Sequence, residues 1–313
     1  MTSRLYSQLA ERILMRKSGL KLMWLCMPLL LTGCLYHTRR IQQPIVAGPV
    51  LDSDAAQLID GVNRRYREVN SLTARVEFEV SVGGAHKGRQ TDYSSIRGFI
   101  LFRKPQMLRV VGEAPLVFTR IFDLASDGTS FTLQIPSKNR AIEGGNTVTQ
   151  RSANPLENLR PDIFLESILV HNITPDHIVT LIHETSTSLN PKNKQLVETP
   201  EYDLSVLSPV TTVSAPGDPQ VAKPLRVIRF SRLNLLPIEL DIYDRNAELE
   251  TQVLYGPYQD YNGIQYPTTI DINRPLDELR VKLTVEKLIL NQPLGDNQFA
   301  LRLPPEVKVQ HLK

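Results

Sequence analysis

The sequence predicts a mainly β (α+β) protein: a curved, antiparallel, unclosed half-barrel of about 11 strands, with an N-terminal helix and one or two lid helices. Apolar and polar residues alternate with a period of two through most of residues 72–290, which indicates strands with one buried face. Frequent turn signals between these runs favour hairpins and an antiparallel sheet. So many strands curl rather than stay flat.

Residues 1–33 are predicted to be an export signal. A basic region at residues 16–21 precedes an apolar run at residues 22–31. This run has about half of the ~20 residues that cross a bilayer. It ends in Leu-Thr-Gly before Cys34, which resembles the bacterial lipobox. That resemblance implies cleavage before Cys34 and a lipid on its thiol; the alternative is a simple cleaved signal followed by an accidental cysteine.

The predicted lipid anchor implies a location. Each buried methylene contributes roughly 0.8 kcal/mol, so two or three acyl chains, such as palmitate, hold a protein stably on a membrane. In lipoproteins of this kind, Asp after the lipidated Cys favours the inner membrane, whereas this chain has Leu35. The resemblance therefore implies the periplasmic face of the outer membrane. Residues 34–52 lack an apolar period and are predicted to be a lipidated tether, and residues 53–313 are predicted to be the folded domain.

Composition excludes some classes of partner and cross-link. The chain has 36 Lys and Arg and 33 Asp and Glu. The first 33 residues hold five of the basic residues and one of the acidic residues, so the rest is close to neutral. Near neutrality gives no reason to expect nucleic acid as a partner. Cys26 and Cys34 are the two cysteines, and after cleavage one remains, which excludes an internal disulfide.

The elements of the first half follow in order. Residues 53–70 are predicted to be a helix, with Ser53 as its cap and Asp54 in the first turn. Leu58, Val62 and Val69 recur on one face. The strongest alternation is at residues 72–82. Further strands are predicted at residues 93–103, 107–112, 121–126, 130–135 and 141–142.

The middle of the chain has a different pattern. Pro161 starts a predicted helix that carries Ile163, Phe164 and Ile168, because proline suits a first helical turn. This helix is the predicted lid. The segment that begins at Thr174 fits either a second lid helix or a strand. Strands then resume at residues 202–207, 225–232, 236–243, 247–255, 264–272 and 279–290.

Three stretches resemble the LolA and LolB lipoprotein-carrier family. At residues 69–74 a helix passes directly into a long strand. Residues 102–110 contain an aromatic residue, then Pro and Leu-Arg, and Asp-Gly follows at 127–128. Residues 291–307 combine a Pro-containing linker, Phe-x-hydrophobic and Pro before Val. The likeness covers roughly residues 53–310 and implies a half-barrel whose concave face holds acyl chains.

The resemblance implies two groups of site residues. A partly covered apolar concavity is a natural lipid site. The acyl-chain candidates are the apolar residues of the predicted concave face: Val76, Phe78, Val80, Ile100, Phe102, Leu108, Val110, Ile228, Phe230, Leu240 and Ile242. In LolB, the loop after the third strand presents an apolar residue to the membrane, and the matching residue here is Leu116. Alternatively, Val117 and Phe118 begin the next strand.

The sequence contains no pattern that indicates an enzyme. There is no Gly-x-Ser-x-Gly elbow, and no cysteine remains for nucleophilic chemistry. His171, His177 and His183 are spaced by six residues, which suits neither a helix face nor the spacing of metal ligands. We expect these histidines to be solvated. No catalytic residue, cofactor or metal is predicted.

Three functions are compatible with this pattern. The first is a membrane-anchored periplasmic lipoprotein that binds acyl lipid or lipoprotein cargo, in lipoprotein sorting or lipid transfer. The second is an envelope-stress or lipid sensor with the same fold and a periplasmic or outer-membrane protein partner. The third is a structural scaffold lipoprotein whose cavity is filled by side chains.

Overall fold

The computed structural model describes residues 38–46, 48–84, 88–93, 95–114, 119–146, 155–208 and 221–312. The predicted signal and Cys34 lie outside these ranges. Residues 45–313 form one compact unit. In the described part of the chain, no helix is long and apolar enough to cross a membrane.

Two α-helices occur among the described residues, α1 (Ala55–Glu68) and α2 (Pro161–Ile168). The prediction that Ser53 caps the first helix is wrong, because Asp54 is the cap. Gln57 N donates to Asp54 Oδ1 over 2.8 Å, and Asp54 N donates to Gln57 Oε1 over 3.1 Å. This reciprocal capping box needs a Gln or Glu three residues after the cap, which Asp54 has.

The strands make up more than half of the remaining described chain. Among the described residues they are β1 (Ile45–Val46), β2 (Ser71–Gly84), β3 (Arg89–Asp92), β4 (Ile96–Arg103), β5 (Met107–Glu113), β6 (Arg120–Ser126), β7 (Ser130–Ile135), β8 (Arg140–Gly145), β9 (Ile178–Leu189), β10 (Leu196–Leu207), β11 (Pro224–Ser231), β12 (Pro237–Tyr243), β13 (Leu249–Tyr255), β14 (Tyr258–Tyr261), β15 (Ile264–Pro267), β16 (Thr269–Arg274), β17 (Leu279–Leu290) and β18 (Lys308–His311).

The predicted number of about 11 strands is too small. The strands missing from the prediction, β1, β3, β14 and β18, have two to four residues each, too few to show an alternation. The predicted single strand at 264–272 is two strands, β15 and β16, in different sheets. The segment after Thr174, left open as helix or strand, is strand β9.

The large sheet is unclosed. Its order is β1-β10-β11-β12-β13-β16-β17-β2-β4-β5-β6-β7-β8-β18, with β3 added to β2 and β9 added to β10. The ends of this order do not pair with each other in the described sheet. The prediction of a purely antiparallel sheet is wrong at both margins, since β1 pairs with β10 and β18 pairs with β8 in parallel. Local hairpin signals cannot report these pairings, because they join segments far apart in sequence.

The apolar face of the sheet turns inward on a single core. One row of facing residues crosses β10 to β2: Leu204, Ile228, Leu240, Val253, Ile272, Val281 and Val80. A second row crosses β2 to β8: Ala74, Ile100, Val110, Leu124, Leu133 and Ile142. Both rows belong to the same hydrophobic cluster, so the sheet curves around its apolar side. This curvature produces the concavity.

Candidate functional site

The eleven predicted acyl-chain residues face the core. Ten are buried in the hydrophobic cluster, and Ile242 is partly buried against it. Residues two apart on a strand point to the same face, so the predicted residues of each strand share the face that turns toward the core. The role of these side chains in binding an acyl chain stays a prediction.

Helix α2 fills the concavity. Its Ile163, Phe164, Leu165 and Ile168 are buried in the same cluster. The helix packs against β6 and against β16, which lie in the two halves of the sheet. A helix of eight residues thus takes the place of a second layer.

Two tyrosines hold the C-terminal end of α2. Tyr255 Oη donates to Ser167 O over 3.1 Å, and Tyr266 Oη donates to Ile168 O over 2.9 Å. The last carbonyls of a helix have no partner within the helix, so these bonds satisfy groups that would otherwise be buried without one. Burial raises the pKa of both hydroxyls, which therefore remain donors.

The segment after α2 is fixed to α1 and to the sheet. Asn63 donates through Nδ2 to Ile173 O over 2.9 Å and accepts from Ile173 N over 2.7 Å. Arg226 Nη2 donates to Asn172 O over 2.7 Å. These bonds fix the chain immediately after the helix.

A buried arginine holds the N-terminal end of α2. Arg274 lies 2.7 Å from Asp277, 3.2 Å from Glu250 and 3.6 Å from Asp162. Burial alone would lower the pKa of Arg274, but the carboxylates of Asp162 and Asp277 raise it above its ordinary value. Since Asp162 is in the first turn of α2, this cluster ties the helix to the sheet.

A small apolar cavity lies beside the other end of α2. Its volume is about 40 Å³, and Val62, Val69, Leu169 and Tyr258 are among the residues that line it. This space admits about three water-sized spheres, so the cavity is too small for a whole acyl chain in this conformation. None of the eleven predicted residues lines this cavity.

One charged side chain borders that cavity. Arg65 lines both the cavity and an open groove of about 820 Å³ along α1. Its Nη2 is buried and, among the described residues, has no hydrogen-bond partner. Burial lowers the pKa of Arg65. The boundary between the apolar cavity and the polar groove therefore carries a positive charge.

The remaining sequence-predicted residues are not brought to this site. Leu116 lies outside the described residues; Ala114 N donates to Thr119 O over 2.8 Å across the base of its loop. The histidines are not together, and the expectation that all are solvated is wrong for His171. Its ring packs on Tyr66 at 5.6 Å between centroids, and burial lowers its pKa.

Sequence reasoning missed the residues that hold α2. Tyr255 and Tyr266 belong to predicted strands, but nothing local indicates that their hydroxyls reach a helix about 90 residues away. One signal was available for the hairpin β14–β15. Asn-Gly at residues 262–263 is typical of a two-residue hairpin turn, and both residues have positive φ, 56° and 88°.

Comparison with known proteins gives structural neighbours only. No family model matches the chain, and no curated protein matches it either. Among solved structures, the chain is similar to a LolA superfamily protein from Nitrosomonas europaea. The two share 15% identity at a TM-score of 0.48, over 80% of this chain and 99% of that one.

Two further structures are similar at about the same level. One is a DUF1329 family protein from Desulfovibrio piger, with 13% identity and a TM-score of 0.47 over 78% of this chain and 94% of that one. The other is an outer membrane lipoprotein-sorting protein domain from Vibrio parahaemolyticus. It shares 13% identity with this chain at a TM-score of 0.46, over 77% of this chain and 94% of that one. The neighbours include the superfamily that the sequence resemblance names. Similarity at this level carries no conclusion about what the chain binds.

Proposed function

We propose that this chain is a lipoprotein, anchored through lipid on Cys34 to the periplasmic face of the outer membrane, that takes acyl chains into its concavity when α2 moves out. The cargo is an acyl lipid or a lipoprotein, in lipoprotein sorting or lipid transfer. The protein acts by non-covalent binding. The observation that supports this proposal is that the short helix α2 packs, together with α1, on the apolar face of an unclosed sheet.

The energies of exchange favour a reversible process. Burying the four apolar side chains of α2 contributes about 1.5–3 kcal/mol each, and burying a sixteen-carbon chain contributes on the order of 12 kcal/mol. The two quantities are of the same size, so an acyl chain offsets most of the cost of moving these four side chains out of the core. The hydrogen bonds of Tyr255 and Tyr266, at about 1 kcal/mol each, and the contact of Asp162 with Arg274 add to that cost. The membrane offers the chain the same gain, which keeps binding weak enough for release.

Weakening the hold of α2 should therefore strengthen acyl binding. Phe164 is fully buried on α2, and Phe164→Ala lowers the cost of moving the helix. The chain from residue 35 onward, made without lipid, should bind a fluorescent sixteen-carbon probe about tenfold more tightly as F164A than as wild type.

Phe299→Ala is the matched control. Phe299 is also buried, but it lies outside the core cluster that contains α2 and packs under Arg103, with 5.3 Å from the guanidinium carbon to the ring centroid. A large-to-small change there costs a similar ~3–5 kcal/mol of stability away from α2. We expect no gain in acyl affinity from it. If neither the wild type nor F164A binds the probe, the acyl proposal is wrong and the scaffold with a filled concavity takes its place.

The anchor is tested separately. Cells that express the full chain with labelled palmitate should incorporate label, and Cys34→Ser should abolish incorporation. Outer-membrane fractions should contain the wild type only. Retention of C34S in that fraction would contradict the lipid anchor without affecting the acyl site.

Strand β9 favours the sensor as a second candidate function. In the described sheet it pairs with β10 alone, and Ile182 and Leu189 on it are 56% and 52% exposed. An open strand edge is a common site for a partner strand. Crosslinking in the periplasm should trap a protein partner that Ile182→Lys removes. Leu254→Lys, on β13 with neighbours on both sides, is the control and should leave crosslinking unchanged.

A further inference from the structure

The position of Arg65 on α1 is unusual for a charged residue. It lies three residues after Val62 and four before Val69, so these three share one helix face. Both valines are buried in the core. The position between two such valines on an apolar helix face normally holds an apolar residue. Here position 65 instead places a guanidinium on the face that lines the cavity.

The charge of Arg65 is only weakly compensated in the described structure, by the carboxylate of Glu68. A buried cation costs free energy unless it is paired and hydrogen-bonded. Nη2 of Arg65 has no partner among the described residues, although burial lowers the pKa of the group. Glu68, the nearest acidic residue along the helix, is exposed. The guanidinium can therefore still bind an anion.

The surroundings of Arg65 define the shape of that anion. Arg65 and Gln265 line both spaces. On one side is the apolar cavity, and on the other is the polar groove, whose lining holds the carboxylates of Asp52, Asp54, Asp60 and Glu68 beside Arg64. A molecule that fits both has an apolar chain joined to a polar head.

We propose that Arg65 binds the anionic head, a carboxylate or a phosphate, of a single-chain amphiphile whose first methylenes enter the cavity. Gln265, whose Nε2 donates to Asp260 Oδ2 over 3.2 Å, lines the same boundary. This inference rests on the proposed function, because it assumes that the protein binds an acyl chain. It adds that the head group of that ligand is anionic.

The same position connects the head site to α2. Ile168, the last residue of α2, and the following Leu169 and Val170 line the cavity. A chain that grows inward from Arg65 meets this end of the helix first. Lengthening the chain therefore displaces the end of α2 that the tyrosines hold.

The test compares an acid with its alcohol. The chain from residue 35 onward contains the whole compact unit, residues 45–313, and is titrated at pH 8 with dodecanoate, with 1-dodecanol and with inorganic phosphate. We expect dodecanoate to bind about tenfold to a hundredfold more tightly than dodecanol, as a charge-assisted hydrogen bond provides. Arg65→Met should remove this preference, and Arg65→Lys should restore part of it.

Arg64→Met is the matched control. Arg64 is the neighbouring residue, lines the groove only, and lies 3.6 Å from Asp60 with its side chain 59% exposed. We expect R64M to keep the preference for the acid. Loss of the preference in both variants would indicate a general effect of surface charge and would overturn the inference.

The outcomes separate this inference from the proposed function. Equal binding of acid and alcohol by the wild type overturns the head site and leaves acyl binding standing. Competition by phosphate alone at the concentrations at which dodecanoate binds indicates a simple anion site and overturns the amphiphile. If neither dodecanoate nor dodecanol binds, both proposals are wrong.

Discussion

The two ends of α2 each lie beside an arginine, and the two arginines have opposite surroundings. At the N-terminal end, Arg274 is buried and has three carboxylates within 3.6 Å. At the C-terminal end, Arg65 is half-buried, and its Nη2 has no hydrogen-bond partner in the described residues. A buried charge with internal counter-ions stabilises the fold as it stands, whereas a charged group without a partner gains when an anion binds. We therefore expect Arg274 to stabilise the fold, and we propose that Arg65 binds a ligand.

The largest expected effect comes from removing the compensated arginine. Arg274→Met removes the arginine that lies within 3.6 Å of Asp162, Glu250 and Asp277, and breaking a buried ion pair from one side costs about 3–5 kcal/mol. Urea unfolding should show this loss in the free energy of unfolding. Lys282→Met is the control, because Lys282 pairs with Glu79 and both side chains are exposed, where a pair contributes at most about 1 kcal/mol. Equal losses in the two variants would contradict the structural role.

The next effect is a dependence of stability on pH that comes from Glu166. Burial raises the pKa of this carboxyl to about 7. The charges of Asp162 and Glu250 act in the same direction, whereas Arg226 and Arg274 lower the pKa. The folded protein then holds a proton that the unfolded chain, with a pKa near 4.5, releases. The stabilisation by this proton is complete below pH 4.5 and is lost as pH rises through 7.

Glu166→Gln should remove that dependence. The variant cannot ionise, so at pH 8 it should be more stable than the wild type by about 1–3 kcal/mol, and at pH 4 the two should be similar. Unfolding measured across pH 4–8 checks this. Glu248→Gln, on an exposed turn, should leave the pH profile as it is. An unchanged slope in E166Q would show that Glu166 is not the group responsible.

A smaller effect is expected at the tyrosines. Tyr255→Phe with Tyr266→Phe removes two hydroxyl donors from the end of α2, at about 1 kcal/mol for each hydrogen bond. Hydrogen exchange of the amides of α2 should accelerate more than that of β5. Tyr258→Phe is the control, because Tyr258 donates to Pro237 O and not to the helix. Faster exchange of α2 in Y258F would show that the effect does not come from these two bonds.

The smallest effect on stability is expected at Arg65. Arg65→Met removes a half-buried charge whose Nη2 has no hydrogen-bond partner among the described residues, so the free energy of unfolding should stay the same or rise by up to about 1 kcal/mol. Arg274→Met should lower the free energy of unfolding, so the two substitutions are expected to change it in opposite directions. A loss above 2 kcal/mol in R65M would show that Arg65 stabilises the fold and would remove its assignment to binding.

Much of the sheet was predictable because its signal is local. The alternation at residues 72–82 identifies the floor of the concavity, β2, and the eleven predicted apolar residues all face the core. Pro161 correctly marks the start of α2. The charged part of the site was not predictable. Arg65 reads as one of several polar residues on an amphipathic helix until Tyr258 and Ile264 are placed against it.

The sequence alone determined which face of each long strand is apolar and where helix α2 begins. These properties follow from residues within a few positions of each other, because strand and helix periods are short. Only the tertiary structure decided that β1 pairs with β10 and β18 with β8 in parallel, and that Tyr255 reaches Ser167. It also decided that Nη2 of Arg65 has no hydrogen-bond partner among the described residues, whereas Arg274 lies beside three carboxylates. Such contacts join residues far apart in the chain, and their energies depend on which groups burial brings together.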